Sequence, residues 1–119
     1  MKIGFIGTGN MGGALAVAAA KSGEAEVLLA NRTKAKAEAL AERIGAAVSG
    51  NEMIAEEADH IFLGVKPQMM AGMLEGIAPA LKARKNAPLL ISMAAGLTIQ
   101  RIRELAGGEY PVIRIMPNM

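Results

Sequence analysis

The chain has 119 residues, of which 52% are hydrophobic, 20% charged and 3% aromatic, with no cysteine and no tryptophan. This length suits one domain, and a mean hydropathy of +0.31 argues against intrinsic disorder. Disulfides and thiolate zinc sites are excluded, one histidine (His60) cannot build a metal cluster, and a net charge of +2 is too balanced for a general nucleic-acid binder.

The first predicted strand is Lys2–Ile6, and the glycines that interrupt and follow it (4, 7, 9, 12 and 13) break what could be mistaken for a signal sequence. A helix then carries the stripe Met11, Ala14, Leu15, Ala18 and Ala19. Strand Glu26–Ala30 precedes a second helix with Ala37, Leu40, Ala41 and Ile44 on its apolar face. Short strand Ala46–Val48 and strand His60–Val65 follow, with His60 as a strand-entry residue and not a catalyst. The third helix carries Met70, Met73, Leu74 and Ile77, and Pro79 is expected to end or kink it. Strand Leu89–Ser92 leads to a helix capped by Thr98 and closed by Gly107-Gly108, and strand Val112–Met116 comes last. The first, fourth and last strands read as continuous apolar runs, as strands covered on both faces do.

Strands alternating with helices predict an α/β fold: a Rossmann-like, doubly wound, mainly parallel six-stranded sheet with helices on both faces, using residues 1–119 as one dinucleotide-binding domain. No apolar run approaches the ~18 residues of a membrane span. Phe5, Phe62 and Tyr110 are not interleaved with a basic run. A soluble, cytoplasmic chain that binds neither nucleic acid nor membrane is expected.

The sharpest motif is Gly7-Thr8-Gly9-Asn10-Met11-Gly12, which matches G-x-G-x-x-G between a predicted strand and a predicted helix. Gly7 would permit the tight turn, Gly9 the approach of a pyrophosphate, and Gly12 close packing of helix on strand. About 20 residues on, where an NAD site usually places Asp or Glu, stands Asn31, followed by Arg32, Thr33, Lys34 and Lys36. Neutral and cationic donors there suit a 2′-phosphate, so NADP(H) is favoured over NAD(H). Val65-Lys66-Pro67-Gln68 and Ser92-Met93-Ala94-Ala95-Gly96 fall after the fourth and fifth strands, where a cofactor would lie or where ordinary strand-to-helix turns would serve equally.

These blocks, taken with Asp59 to Gln68, Leu90 to Gly96 and Val112-Ile113-Arg114-Ile115-Met116-Pro117-Asn118, resemble pyrroline-5-carboxylate reductase along the whole chain. The resemblance implies NAD(P)H-dependent reduction of 1-pyrroline-5-carboxylate to L-proline, the last step of proline biosynthesis. It implies that Gly7, Thr8, Gly9, Asn10, Met11 and Gly12 hold the pyrophosphate and that Asn31 and Arg32 flank the adenosine phosphate, beside the Thr33 and Lys34 already singled out for the 2′-phosphate. Asn51 would contact the cofactor, although by its own position it reads as the N-cap of a short helix. Val65, Lys66, Pro67, Ala94, Ala95 and Gly96 would line the nicotinamide half, and Asn118 the rim of the substrate pocket.

The family commonly carries threonine where this chain has Met119, and an all-helical second domain that dimerises and holds most of the imine-acid pocket. That domain is not in these residues, so the chain is expected to be the cofactor-binding part of a longer homo-oligomeric enzyme, nearly inactive alone and without a confident catalytic residue. A stand-alone dinucleotide-sensing module and a related imine or hydroxy-acid oxidoreductase are the alternatives.

Overall fold

The computed structural model describes residues 1–23, 25–94 and 96–115, without the side chains of residues 10 and 11. The elements run β1 (Lys2–Ile6), α1 (Asn10–Ser22), β2 (Glu26–Ala30), α2 (Lys34–Ile44), β3 (Ala47–Val48), α3 (Asn51–Glu57), β4 (His60–Leu63), α4 (Pro67–Ala83), β5 (Leu89–Ser92), α5 (Ile99–Ala106) and β6 (Val112–Arg114). The strands form one sheet in the order β3-β2-β1-β4-β5-β6, and every pairing is parallel. Helical crossovers return each strand to the same end, so all turns leading into helices gather along one edge.

Side-chain alternation divides the core between the two faces of the sheet. On one face Ile6, Leu28, Ile61, Leu63 and Leu90 pack against Ile54 of α3, Met70, Leu74, Ile77 and Leu81 of α4, and Ile102 of α5. On the other, Phe5, Val27 and Leu29 meet Ala16 of α1 and Ala37 and Ala41 of α2. Phe5 stacks on Phe62 across the β1–β4 pair with ring centroids 4.6 Å apart. The apolar faces expected for α2 and α4 are the ones buried.

Five expectations require correction. Helix α1 buries Ala16 and packs Leu15, Ala19 and Ala20 toward the sheet, while Ala14 and Ala18 of the expected stripe are exposed. Small apolar residues surround this helix, so its periodicity is nearly featureless and contact with the sheet chooses the face. Pro79 does not end α4, which runs through it to Ala83. The proline lies on the solvent face, where water can satisfy the carbonyl deprived of its donor, and buried Leu81 anchors the last turn. Asn51 is the first residue of α3, whose N-cap is Gly50. Finally β4 ends at Leu63, and β6 is an edge strand with Ile113 46% exposed rather than a strand covered on both faces. Met116, the expected end of β6, lies outside the described residues.

Thr98 does cap α5, its Oγ1 accepting from Arg101 N–H at 3.0 Å, and Gly107 closes it with φ +82°. At the edge of the sheet away from the helix-leading turns, the Lys2 N–H donates to Asp59 Oδ2 at 2.8 Å and Lys2 Nζ pairs with Glu57 at 2.7 Å. The hydrogen bond from the Lys2 backbone N–H holds the Asp59 carboxyl below its ordinary range. Arg84, at the end of α4, ties it to the end of α3 by donating to Ala55 O at 2.9 Å and Ala58 O at 2.7 Å. His60 enters β4 here, at the opposite end from the site.

Candidate functional site

A cleft of about 830 Å³ opens where β1, β2 and β4 pass into their helices. It is built around the turn after β1. Gly7 adopts φ +97°, and its N–H continues the sheet by donating to Ala30 O at 2.8 Å. A Cβ on Gly7 would sit 2.6–2.8 Å from the backbone of Gly64 and Val65, and one on Gly64 would sit 2.8 Å from Gly7 O. The turns after β1 and β4 therefore touch backbone to backbone. A Cβ on Gly12 would collide with the Gly7 carbonyl, so α1 lies directly against the turn. At Gly9 nothing comes within 4 Å of a would-be Cβ, which leaves the backbone open to a ligand.

The helix ends around this opening are electropositive. Gly9, Thr33 and Lys66 are the N-caps of α1, α2 and α4, all three line the cleft, and none makes a side-chain capping bond. Lys36 and Met69 donate to the N-cap carbonyls of Thr33 and Lys66 at 3.0 and 2.8 Å, while the N–H groups that open a helix before these have no intrahelical acceptor, and each of the three ends carries the positive end of its helix dipole. Arg32, Lys36, Arg43 and Lys66 line the same cleft, and no carboxylate does among the described residues. Both ion pairs found among those residues lie elsewhere.

Two side-chain contacts cross the cleft. Asn31 Oδ1 accepts from Thr8 N–H at 3.3 Å while its Nδ2 donates to Thr33 O at 3.2 Å. Arg32 reaches from the β2 side to Met69 Sδ on α4, at 4.0 Å. Thr8 Oγ1 is buried and has no hydrogen-bond partner among the described residues.

Of the residues singled out from sequence, Gly7, Thr8, Gly9, Asn31, Arg32, Thr33, Val65 and Lys66 meet at this cleft. Gly12 supports it from behind, and Asn10 and Met11 begin α1. Lys34 and Pro67 are exposed first residues of α2 and α4, beside the cleft lining rather than in it, and Asn51 is exposed at the start of α3 and is likewise not brought into the lining. Ala94 is buried after β5 and Gly96 turns there with φ +84°, neither lining the cleft. Ala95 and Asn118 lie outside the described residues. Sequence reasoning missed Gly64, whose lack of a side chain matters only because another turn lies against it. It also missed Arg43, two turns beyond Lys36 on α2, a seven-residue spacing that keeps both on one side of the helix.

The open backbone at Gly9, three uncapped helix ends and a cationic, carboxylate-free lining fit a group bearing phosphates. A metal site finds no such support, since the described residues contain no group of three potential ligands. Parallel sheet, glycine turn and switch-point cleft together define a dinucleotide-binding domain of Rossmann type. The chain belongs to the family described as "NADP oxidoreductase coenzyme F420-dependent", whose model matches residues 2–96.

The resemblance read from the motifs is borne out by individual relatives. The chain is 37% identical over 122 residues to pyrroline-5-carboxylate reductase of Escherichia coli (strain K12), covering 98% of this chain and 44% of that protein. It is 34% identical over 119 residues to the reductase of Corynebacterium melassecola, with the same coverage. Among solved structures, a pyrroline-5-carboxylate reductase from Coxiella burnetii superposes with TM-score 0.88 at 31% identity, over 98% of this chain and 44% of that one. The Plasmodium falciparum pyrroline carboxylate reductase, solved with NADP bound, gives TM-score 0.79 at 31% identity, over 99% and 42%. The chain thus spans less than half the length of these relatives.

Proposed function

We propose that this chain is the NADPH-binding domain of a pyrroline-5-carboxylate reductase. The observation that carries the reading is the cationic cleft over Gly9, with Asn31 in place of a carboxylate at the end of β2. In this reading Gly9 and the first turn of α1 hold the pyrophosphate, with Gly7 and Gly12 setting the turn close beneath it. Thr33, the uncapped start of α2, Arg32, Lys34 and Lys36 receive the 2′-phosphate. Cations in the first turn of a helix oppose its dipole by about 0.3–1 kcal/mol each, so Lys34 and Lys36 are easier to rationalise with an anion beside them.

Val65, Lys66 and Pro67 carry the cofactor across the middle of the sheet, and Ala94, Ala95 and Gly96 admit the flat nicotinamide beyond β5. Asn51 and Asn118 are assigned to the cofactor and the pocket rim on the family resemblance alone. The reduced nicotinamide, when bound, supplies the hydride that converts the cyclic imine of 1-pyrroline-5-carboxylate to L-proline. The task of these residues is to hold and orient it and to exclude water, the principal requirement where the imine is already electrophilic.

In this reading residues 1–119 form one domain of a longer cytoplasmic, homo-oligomeric enzyme, whose remaining residues complete the imine-acid pocket. Matching of less than half of each relative supports that division. Titration of the 119-residue chain with NADPH and NADH, followed by nicotinamide fluorescence, tests the cofactor assignment. Saturable binding that is tighter for NADPH, without proline formation by the chain alone, is expected. Failure to bind either, or tighter binding of NADH, refutes it.

A further inference from the structure

We propose that Asn31 is a positioning residue: it staples the turn after β2 to the phosphate loop and acts on the dinucleotide through Thr8 and Thr33, not by touching the 2′-phosphate. This rests on the reading of the cleft as a dinucleotide site. The β1–β2 ladder pairs Ile6 with Ala30, and its last backbone bond runs from Gly7 N–H to Ala30 O. Beyond that rung the two chains diverge into α1 and α2. The Asn31 side chain adds one more rung, accepting from Thr8 N–H at 3.3 Å, and reaches the other way to Thr33 O at 3.2 Å.

Thr33 O also accepts from Lys36 N–H at 3.0 Å, so the same carbonyl marks the start of α2. The partners fix the orientation of the amide, because an N–H must meet its oxygen and a carbonyl its nitrogen. Only a short primary amide satisfies both loops. A carboxylate accepts from Thr8 but repels the Thr33 carbonyl, and a serine hydroxyl is too short to span the two. The carboxylate that an NAD site would place here is therefore disfavoured by the protein's own hydrogen bonding, in addition to any repulsion of a phosphate. Thr8 N–H is consumed by the staple, which leaves the N–H groups of the first turn of α1 to the ligand.

The test compares wild-type chain with Asn31→Ala and Asn31→Asp, by NADPH and NADH titration and by hydrogen exchange at the Thr8 amide in the ligand-free protein. Asn31→Ala is expected to weaken both dinucleotides by the same factor, about tenfold for two lost hydrogen bonds. The NADPH:NADH affinity ratio should stay within about twofold, and Thr8 exchange should quicken. Asn31→Asp is expected to keep Thr8 protected while weakening NADPH more than NADH. Loss of NADPH affinity alone in Asn31→Ala would make Asn31 a direct ligand and overturn the proposal, as would unchanged affinities. If the wild-type chain binds neither dinucleotide, the reading of the cleft fails separately, and unchanged Thr8 exchange in Asn31→Ala would then dispose of the staple itself.

Discussion

Gly9 and Gly64 differ in what surrounds them, and substituting each with alanine should separate ligand binding from folding. Gly9 has φ −70° and ψ −167°, a conformation open to any residue, and nothing within 4 Å of its would-be Cβ. Alanine is a poorer N-cap than glycine, but it lowers the entropy of the unfolded chain by about 0.4–1 kcal/mol, so the two effects nearly cancel. The unfolding midpoint of Gly9→Ala should therefore stay within about 3 °C of wild type. On the proposed reading its methyl group nevertheless stands where a pyrophosphate oxygen would approach the backbone. Losing one charge-assisted hydrogen bond of about 1.5–3 kcal/mol weakens NADPH about 10- to 150-fold.

Gly64→Ala should fail differently. Its Cβ would lie 2.9 Å from Met93 Cε, which can swing aside, but 2.8 Å from Gly7 O, which belongs to the backbone. Overpacking of about 1–3 kcal/mol follows, lowering the midpoint by roughly 3–15 °C. Calorimetric unfolding paired with fluorescence titration reads both quantities on the same samples. Wild-type NADPH affinity in Gly9→Ala, or a wild-type midpoint in Gly64→Ala, would refute the packing assigned to these turns.

The other perturbations address stability and charge. Arg84→Ala removes both bonds to Ala55 O and Ala58 O and should cost about 2 kcal/mol in urea unfolding, with Arg84→Lys recovering less than half; an unchanged midpoint would show that the end of α3 does not depend on it. Because the folded pKa of Asp59 lies below its ordinary 3.8, its contribution is complete above that value and is lost as pH falls through the folded one. Asp59→Asn should accordingly flatten the fall in urea midpoint as the pH drops below the ordinary 3.8, and an acid limb as steep as wild type would contradict the assignment. Arg32→Ala and Lys36→Ala should each weaken NADPH about 3- to 10-fold, with a smaller salt dependence and little change for NADH. Equal losses for both cofactors would place these cations away from the 2′-phosphate.

The glycine motif, the order of elements and the apolar faces of α2 and α4 were legible because each is a local pattern with a local cause. The capping of α5 by Thr98 and Gly107 was equally readable. Helix α1 was not, since its alanines and glycines offer no unambiguous period and its packed side depends on where Phe5, Val27 and Leu29 stand. Of the two outcomes expected at Pro79 the ending did not occur, because the proline is exposed and water can satisfy the freed carbonyl, and exposure is a tertiary property. Arg43 and Met69 gave no signal from their own neighbourhoods, and they reach the cleft only through the packing of α2 and α4 around it.

By itself the sequence determined a parallel α/β domain whose first turn is rich in glycine and whose second strand ends without a carboxylate. Those properties follow from glycine's missing side chain, hydrophobic alternation and the identity of residue 31. Only the tertiary structure decided what Gly64 and Asn31 do. Gly64 is needed because the turns after β1 and β4 come into backbone contact, and Asn31 spans two loops 23 residues apart because the sheet brings them within hydrogen-bond reach. Steric exclusion and hydrogen bonding act over a few ångströms of space regardless of separation along the chain, so these roles exist only once the strands are paired.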